Sequence, residues 1–162
     1  GENAGVVMGH IIPLIQPRLL VKRLSLTYGT QRFALDGQAL LTDSMQIDPA
    51  TETVKVVLRD QDGTIFDLTI PAGQFHKNTN GSQWTFRDTS GAVAGGMTNM
   101  VFSSTDGRFF RVTAKGKNLN LSGADQETIT MEITVGDDTL PAKNVPCMDK
   151  GNIRTCRETP VR

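Results

Sequence analysis

From about residue 23 onward, apolar and polar side chains alternate with a period of two. Leu24, Leu26 and Tyr28 alternate with Ser25 and Thr27. Phe33 and Leu35, then Ala39 to Leu41, make a second strand region that Asp36-Gly37 interrupts. Val54, Val56 and Leu58 alternate with Lys55, Val57 and Arg59, and Phe66, Leu68 and Ile70 with Ile65, Asp67 and Thr69. Trp84 and Phe86, Met97 to Ser103, and Phe110, Val112 and Ala114 continue the series. The cleanest case is Ile129, Met131, Ile133 and Val135 against Thr128, Thr130, Glu132 and Thr134. Leu140 to Val145 reads as a last, Pro-bounded edge strand, because proline cannot donate to a ladder.

Successive side chains of a strand point to opposite faces, so this alternation predicts strands with one buried and one solvated face. Such strands belong to antiparallel sheets. Asp62-Gly63 and Asp106-Gly107 each sit between two such runs and predict hairpins, since a tight turn needs a residue at positive φ. Eight or nine short strands without a convincing helix predict an all-β, antiparallel β-sandwich, with a partly closed barrel as the neighbouring possibility. Thr89 to Gly96 reads as a Gly-rich loop or a short helical turn.

The segment before this pattern is different. Gly5 to Val21 is apolar but neither period two nor helical, and Pro13 and Pro17 bias their preceding residues toward extended geometry. The chain therefore divides into an extended apolar N-terminal arm, residues 1–22, and a β-sandwich domain, residues 23–162. An extended apolar segment can pack on its own domain or complete a sheet in a neighbour by strand addition. Val7, Ile11, Ile12, Leu14, Ile15, Leu19 and Leu20 are the candidate partner-binding residues of such an arm.

At 162 residues the chain suits one domain. Lys plus Arg is 17 and Asp plus Glu is 17, so the basic excess of a nucleic-acid binder is missing and no nucleic-acid partner is expected. His10, Pro13, Gln16, Pro17 and Arg18 interrupt the most apolar stretch, Ala4 to Val21, so no membrane span is expected. The two cysteines, Cys147 and Cys156, lie in a polar stretch and predict a local disulfide. By restricting the unfolded chain, such a bridge stabilises by about 2.5–3 kcal/mol. A disulfide and a chain that opens on Gly1 rather than Met together predict an exported protein, extracellular, cell-surface or periplasmic.

Enzymatic chemistry finds little to use. His10 lies in the apolar arm and His76 at a strand end, and neither accompanies a nucleophile motif. Asp36, Asp43, Asp48, Asp60, Asp62, Asp137 and Asp138 sit in apparent turns, which the Asx hydrogen bond explains without a catalytic pair. No catalytic, cofactor-binding or metal-ligating residue is assigned. Calcium is the metal best suited to Asp60-Gln61-Asp62-Gly63. EF-hand spacing fails, however, because Leu58 would stand at position one and Thr69 at position twelve. Carbohydrate is a further possible ligand, at the amide- and hydroxyl-rich loop 77–83, with Asn78, Asn80 and Trp84 as candidate ligand-binding residues. Trp84, Phe86 and Tyr28 all follow the core alternation, and core packing is the favoured reading of the three. In a eukaryotic source Asn80-Gly81-Ser82 would also be an N-glycosylation acceptor sequence.

Asp48-Pro49-Ala50-Thr51-Glu52 with Val54 to Asp60, Asp62 to Ile65, Ile70 to Phe75, Trp84 to Asp88, Ala114-Lys115-Gly116 with Leu119 to Ala124, and Ile133 to Asp138 together resemble a β-domain of secreted and cell-surface proteins of environmental bacteria. The resemblance covers about residues 23 to 157. It implies an exported module of larger proteins or assemblies, with no catalytic residues to transfer. The expectation is a non-enzymatic structural or assembly subunit that binds other protein subunits or copies of itself. A carbohydrate- or calcium-binding module is the alternative.

Overall fold

A computed structural model describes residues 16–158. The described residues form eleven strands and no helix, so none is long and apolar enough to cross a membrane. The strands are β1 (Arg18–Thr27), β2 (Arg32–Leu40), β3 (Val54–Asp60), β4 (Gly63–Ile70), β5 (His76–Lys77), β6 (Gln83–Arg87), β7 (Met97–Ser103), β8 (Phe109–Gly116), β9 (Thr128–Val135), β10 (Asp138–Lys150) and β11 (Ile153–Cys156).

All pairings are antiparallel, as the alternation requires. The strands do not separate into two sheets of a sandwich. They join into one eleven-stranded sheet in the order β4-β3-β9-β10-β11-β1-β2-β8-β7-β6-β5, curled into a half-barrel. The Phe33 and Phe66 rings, on β2 and β4, have centroids 4.8 Å apart. These strands are six positions apart in the sheet order, about 29 Å if the sheet were flat. The concave face therefore closes on itself and buries Leu24, Leu26, Leu35, Val56, Leu58, Phe86, Met100, Phe102, Phe110, Ile129, Met131 and Ile133.

Both Asp-Gly hairpins are present. Gly63 opens β4 at φ 139° and Gly107 sits in the β7–β8 turn at φ 75°. Asp106 Oδ1 accepts the Arg108 and Phe109 amides there, and these backbone hydrogen bonds lower its pKa.

Four expectations need correction. Asp36-Gly37 does not break the second strand; β2 runs through it. The boundary at residue 22 falls inside β1, because Leu19 and Leu20 pair with Ala39 and Gln38 of the same chain and Leu19 is fully buried. Leu140 to Val145 is part of a thirteen-residue strand in mid-sheet, β10, which carries Pro141 and Pro146. The sequence reading also omitted β5 and β11.

The first two have one cause. A β-bulge between Val21 and Arg23 inserts Lys22, so the buried positions run Leu19, Val21, Leu24, Leu26 rather than in strict alternation. Opposite that bulge lies Gly37, where a Cβ would meet the Leu20 carbonyl oxygen at 2.8 Å. Gly37 is there to admit a neighbouring backbone. Gly37→Ala is therefore expected to force the β1–β2 pairing apart and to lower stability by about 1–3 kcal/mol in denaturant titration. An unchanged midpoint would show that the bulge yields freely.

Candidate functional site

Two polar constellations stand out, and both are assembled at the long loop 117–127 between β8 and β9. The first is acidic. Asp60 ends β3, Asp62 is in the two-residue turn to β4, and Asp125 comes from the long loop. One carboxylate oxygen from each lies within 4.8 Å of the others. The Asp62 amide donates to Asp60 Oδ1 at 2.9 Å, which is the Asx turn expected of this hairpin. Gln126 Nε2 donates to Asp62 Oδ2 at 2.7 Å and to Asp125 Oδ1 at 3.3 Å, bridging two of the three acids. Asp60 Oδ2 is buried and has no hydrogen-bond partner. An all-oxygen set of this kind suits a hard cation, with water supplying the ligands that three carboxylates leave open.

The second constellation is Arg154, the buried charge of β11, 8% exposed. Its Nε and Nη2 donate to the two oxygens of Asp149 at 2.8 and 2.9 Å, a bidentate pair across the β10–β11 hairpin. Its Nη1 donates to the Gln126 carbonyl. Tyr28 donates its hydroxyl to the Ala124 carbonyl at 2.6 Å, and burial raises its pKa. The loop that carries Asp125 and Gln126 is thus held from below by Arg154 and Tyr28. The guanidinium hydrogen bond also holds the Asp149 carboxyl below its ordinary range.

Beside this network Cys147 and Cys156 face each other in register and form the expected disulfide, with Cα atoms 4.0 Å apart. Val7, Ile11, Ile12, Leu14 and Ile15 lie outside the described residues, as does His10. In the Asn78–Trp84 group the tryptophan takes the core position that alternation favours. Trp84 is 6% exposed, packs 5.7 Å from Phe110, and donates Nε1 to Asp48 Oδ1 at 3.3 Å. Its side chain points inward because it occupies a core position of β6. Asn78 Oδ1 accepts the Ser82 and Gln83 amides, and Asn80 Oδ1 accepts the Ser82 hydroxyl, so both amides close their own turn. The aromatic exposed beside that loop is Phe109, 42% accessible, in a depression of about 360 Å³ that Asn78, Ser82 and Gln83 also line.

Sequence reasoning found Asp60 and Asp62 but not Asp125 or Gln126, which are distant in the chain. The contact between Gln126 and Asp62 spans 64 residues. It also missed Arg154, since an arginine on the inner side of a strand breaks the alternation that identifies strands.

The Asp149–Arg154 pair gives a pH dependence. Its carboxyl has a folded pKa below the unfolded value near 3.9. The contribution is therefore complete above that value and is lost as pH falls through the folded pKa. Arg154→Met is expected to lower stability at pH 7 by about 1–3 kcal/mol, leaving the Gln126 carbonyl without its donor. It is also expected to flatten this part of the acid limb of the stability profile. A variant with the wild-type profile would remove the pair from the acid response.

No protein-family model matches the chain, and neither does any curated protein or solved structure.

Proposed function

We propose that the protein is a non-enzymatic structural or assembly subunit of an extracellular or periplasmic compartment, and that it binds other protein chains, copies of itself included. The observation that carries this reading is the open edge of the sheet at β4. Among the described residues this eight-residue strand pairs only with β3 and ends the sheet. Its backbone groups that face away from β3 have no backbone partner among the described residues. Such an edge is a template for one more strand. Phe66, Leu68 and Ile70 line its inner side, so an added strand with apolar alternate residues would extend the core. The apolar segment Gly5 to Ile15 has that composition. The Cys147–Cys156 disulfide supports an oxidising compartment. Asp48, Asp88 and Asp106 use their carboxylates to bind turn backbones, which supports a structural reading of the acidic residues.

The test is native mass spectrometry of the whole chain and of a chain lacking residues 1–15. The whole chain is expected to assemble, and the shortened one to remain folded but monomeric. A synthetic peptide of residues 5–15 in excess is expected to dissociate the assembly. A monomeric whole chain, or an assembly indifferent to the deletion, would refute the reading.

The Asp60 Oδ2 orphan within the Asp60–Asp62–Asp125 cluster favours calcium binding as a second reading. Calcium at one hundred times its dissociation constant is then expected to stabilise the protein by about 2.7 kcal/mol, reversed by a chelator. Asp125→Asn is expected to weaken that response. Identical melting curves with calcium and with chelator would exclude the site.

A further inference from the structure

Cationic and acidic side chains balance over the chain, 17 against 17, but the sheet separates them. The five strands β1, β2, β8, β7 and β6 are consecutive in the sheet and contain a single acidic residue, Asp36. Residues directly opposite across strands share a face. One row of pairs runs Arg23, Asp36, Thr113, Val101, Thr85. The next runs Ser25, Ala34, Lys115, Asn99, Arg87. A third runs Gln38, Arg111, Ser103, Gln83. The opposite face of these strands is the core, with Leu24, Leu35, Ala114, Met100 and Phe86 in one buried row, so all three polar rows lie on the convex, solvent side.

This convex face has small hydroxyl and aliphatic side chains in its middle and long cations among them. Two shallow depressions, about 270 and 330 Å³, meet at Ser25, Ala34 and Lys115. The first adds Arg32 and Lys117 and no acid. The second adds Arg23 and Arg111 around Asp36. Asp36 forms an ion pair with Arg111, Nε to Oδ1 3.5 Å, and offsets one of the three cations Arg23, Arg111 and Lys115, so the depression stays net cationic. Arg111 also borders the depression of about 360 Å³ that holds Asn78, Ser82, Gln83 and the exposed Phe109 ring. Along β8, Lys115 to Phe109 covers about 20 Å at 3.4 Å per residue.

We infer that this face binds an acidic polysaccharide, a polymer of carboxylated sugars, lying along β8 from Lys115 to Phe109. Guanidinium groups match carboxylates in bidentate geometry, and the hydroxyls and amides between them match sugar hydroxyls. Phe109 offers its ring to the apolar face of a sugar. Two other anionic partners fit less well. Single-stranded nucleic acid is held by successive aromatic platforms, and these five strands expose one aromatic ring. A protein interface centres on buried aromatic anchors, whereas the middle of this face is Ser, Thr, Ala and Val. On the exported reading proposed above, which the disulfide supports, acidic glycans are the polyanions that the chain would meet.

The experiment is titration calorimetry of the whole chain against polygalacturonate, dextran, dextran sulfate and duplex DNA, at low and at physiological salt. Polygalacturonate is expected to bind, more weakly as salt rises, and dextran not to bind. The double variant R111E/K115E is expected to lose at least tenfold in affinity, and Lys143→Glu, on β10, to retain it. Phe109→Ala is expected to lose several-fold with an unchanged melting temperature, which keeps the test valid if the double variant fails to fold. No binding of polygalacturonate at low salt, equal binding by wild type, R111E/K115E and Phe109→Ala, or tighter binding of dextran sulfate or DNA would each overturn the inference.

Discussion

The fold depends on one strand that changes partners. The first nine residues of β10, Asp138 to Pro146, run beside β9, and its last four, Cys147 to Lys150, pair with β11. Without that strand the sheet would fall into a three-stranded piece and a seven-stranded one, each with a new open edge. The change occurs just after a bulge between Ala142 and Val145, where Asn144 takes φ 54°. A bulge bends and twists its strand, which lets one ladder turn enough to serve both sides of a curled sheet. Because each half of β10 is paired on one side only, Pro141 and Pro146 can sit in mid-sheet with the loss of few ladder bonds. The disulfide and the Arg154–Asp149 pair both lie on the second half. They fix β11 to β10 at the point where β11 delivers the sheet to β1.

That arrangement also joins the ends of the described chain. β1 and β11 are neighbours, and Glu158 accepts the Val21 amide and the Arg18 guanidinium just beyond β11. The two ends of the described chain, near Arg18 and at Glu158, therefore lie together at one end of the sheet.

Much of the fold is legible in the sequence, and the errors share a physical origin. Where alternation is strict, as in β9, strand and buried face are both evident. Where a bulge inserts a residue, the pattern slips by one. This happens at Lys22, between Met97 and Asn99, and between Ala142 and Val145. A slipped pattern looks like the end of a strand, and the boundary at residue 22 arose that way. β11 is hidden for a different reason. Its inner positions are Arg154 and Cys156 and its outer ones Ile153 and Thr155, so its polarity is half inverted. The inversion is tolerable because Asp149 and the Gln126 carbonyl satisfy the guanidinium. The candidate site is legible only in part. The Asp60–Asp62 turn is local, while Asp125 joins it through a loop held by Tyr28 and Arg154.

The sequence by itself determined the class, the antiparallel pairing, the two Asp-Gly hairpins and the disulfide. Each follows from interactions between residues close in the chain or from a period that any strand must obey. The tertiary structure decided that the strands form one curled sheet, that Trp84 faces the core while Phe109 faces solvent, and that cations collect on one face. These depend on which strand lies beside which, and on which side of each strand meets the core. A neutral composition is compatible with any distribution of charge over the surface. Only strand register turns equal numbers of acids and bases into a cationic face here and an acidic cluster at the β3–β4 turn.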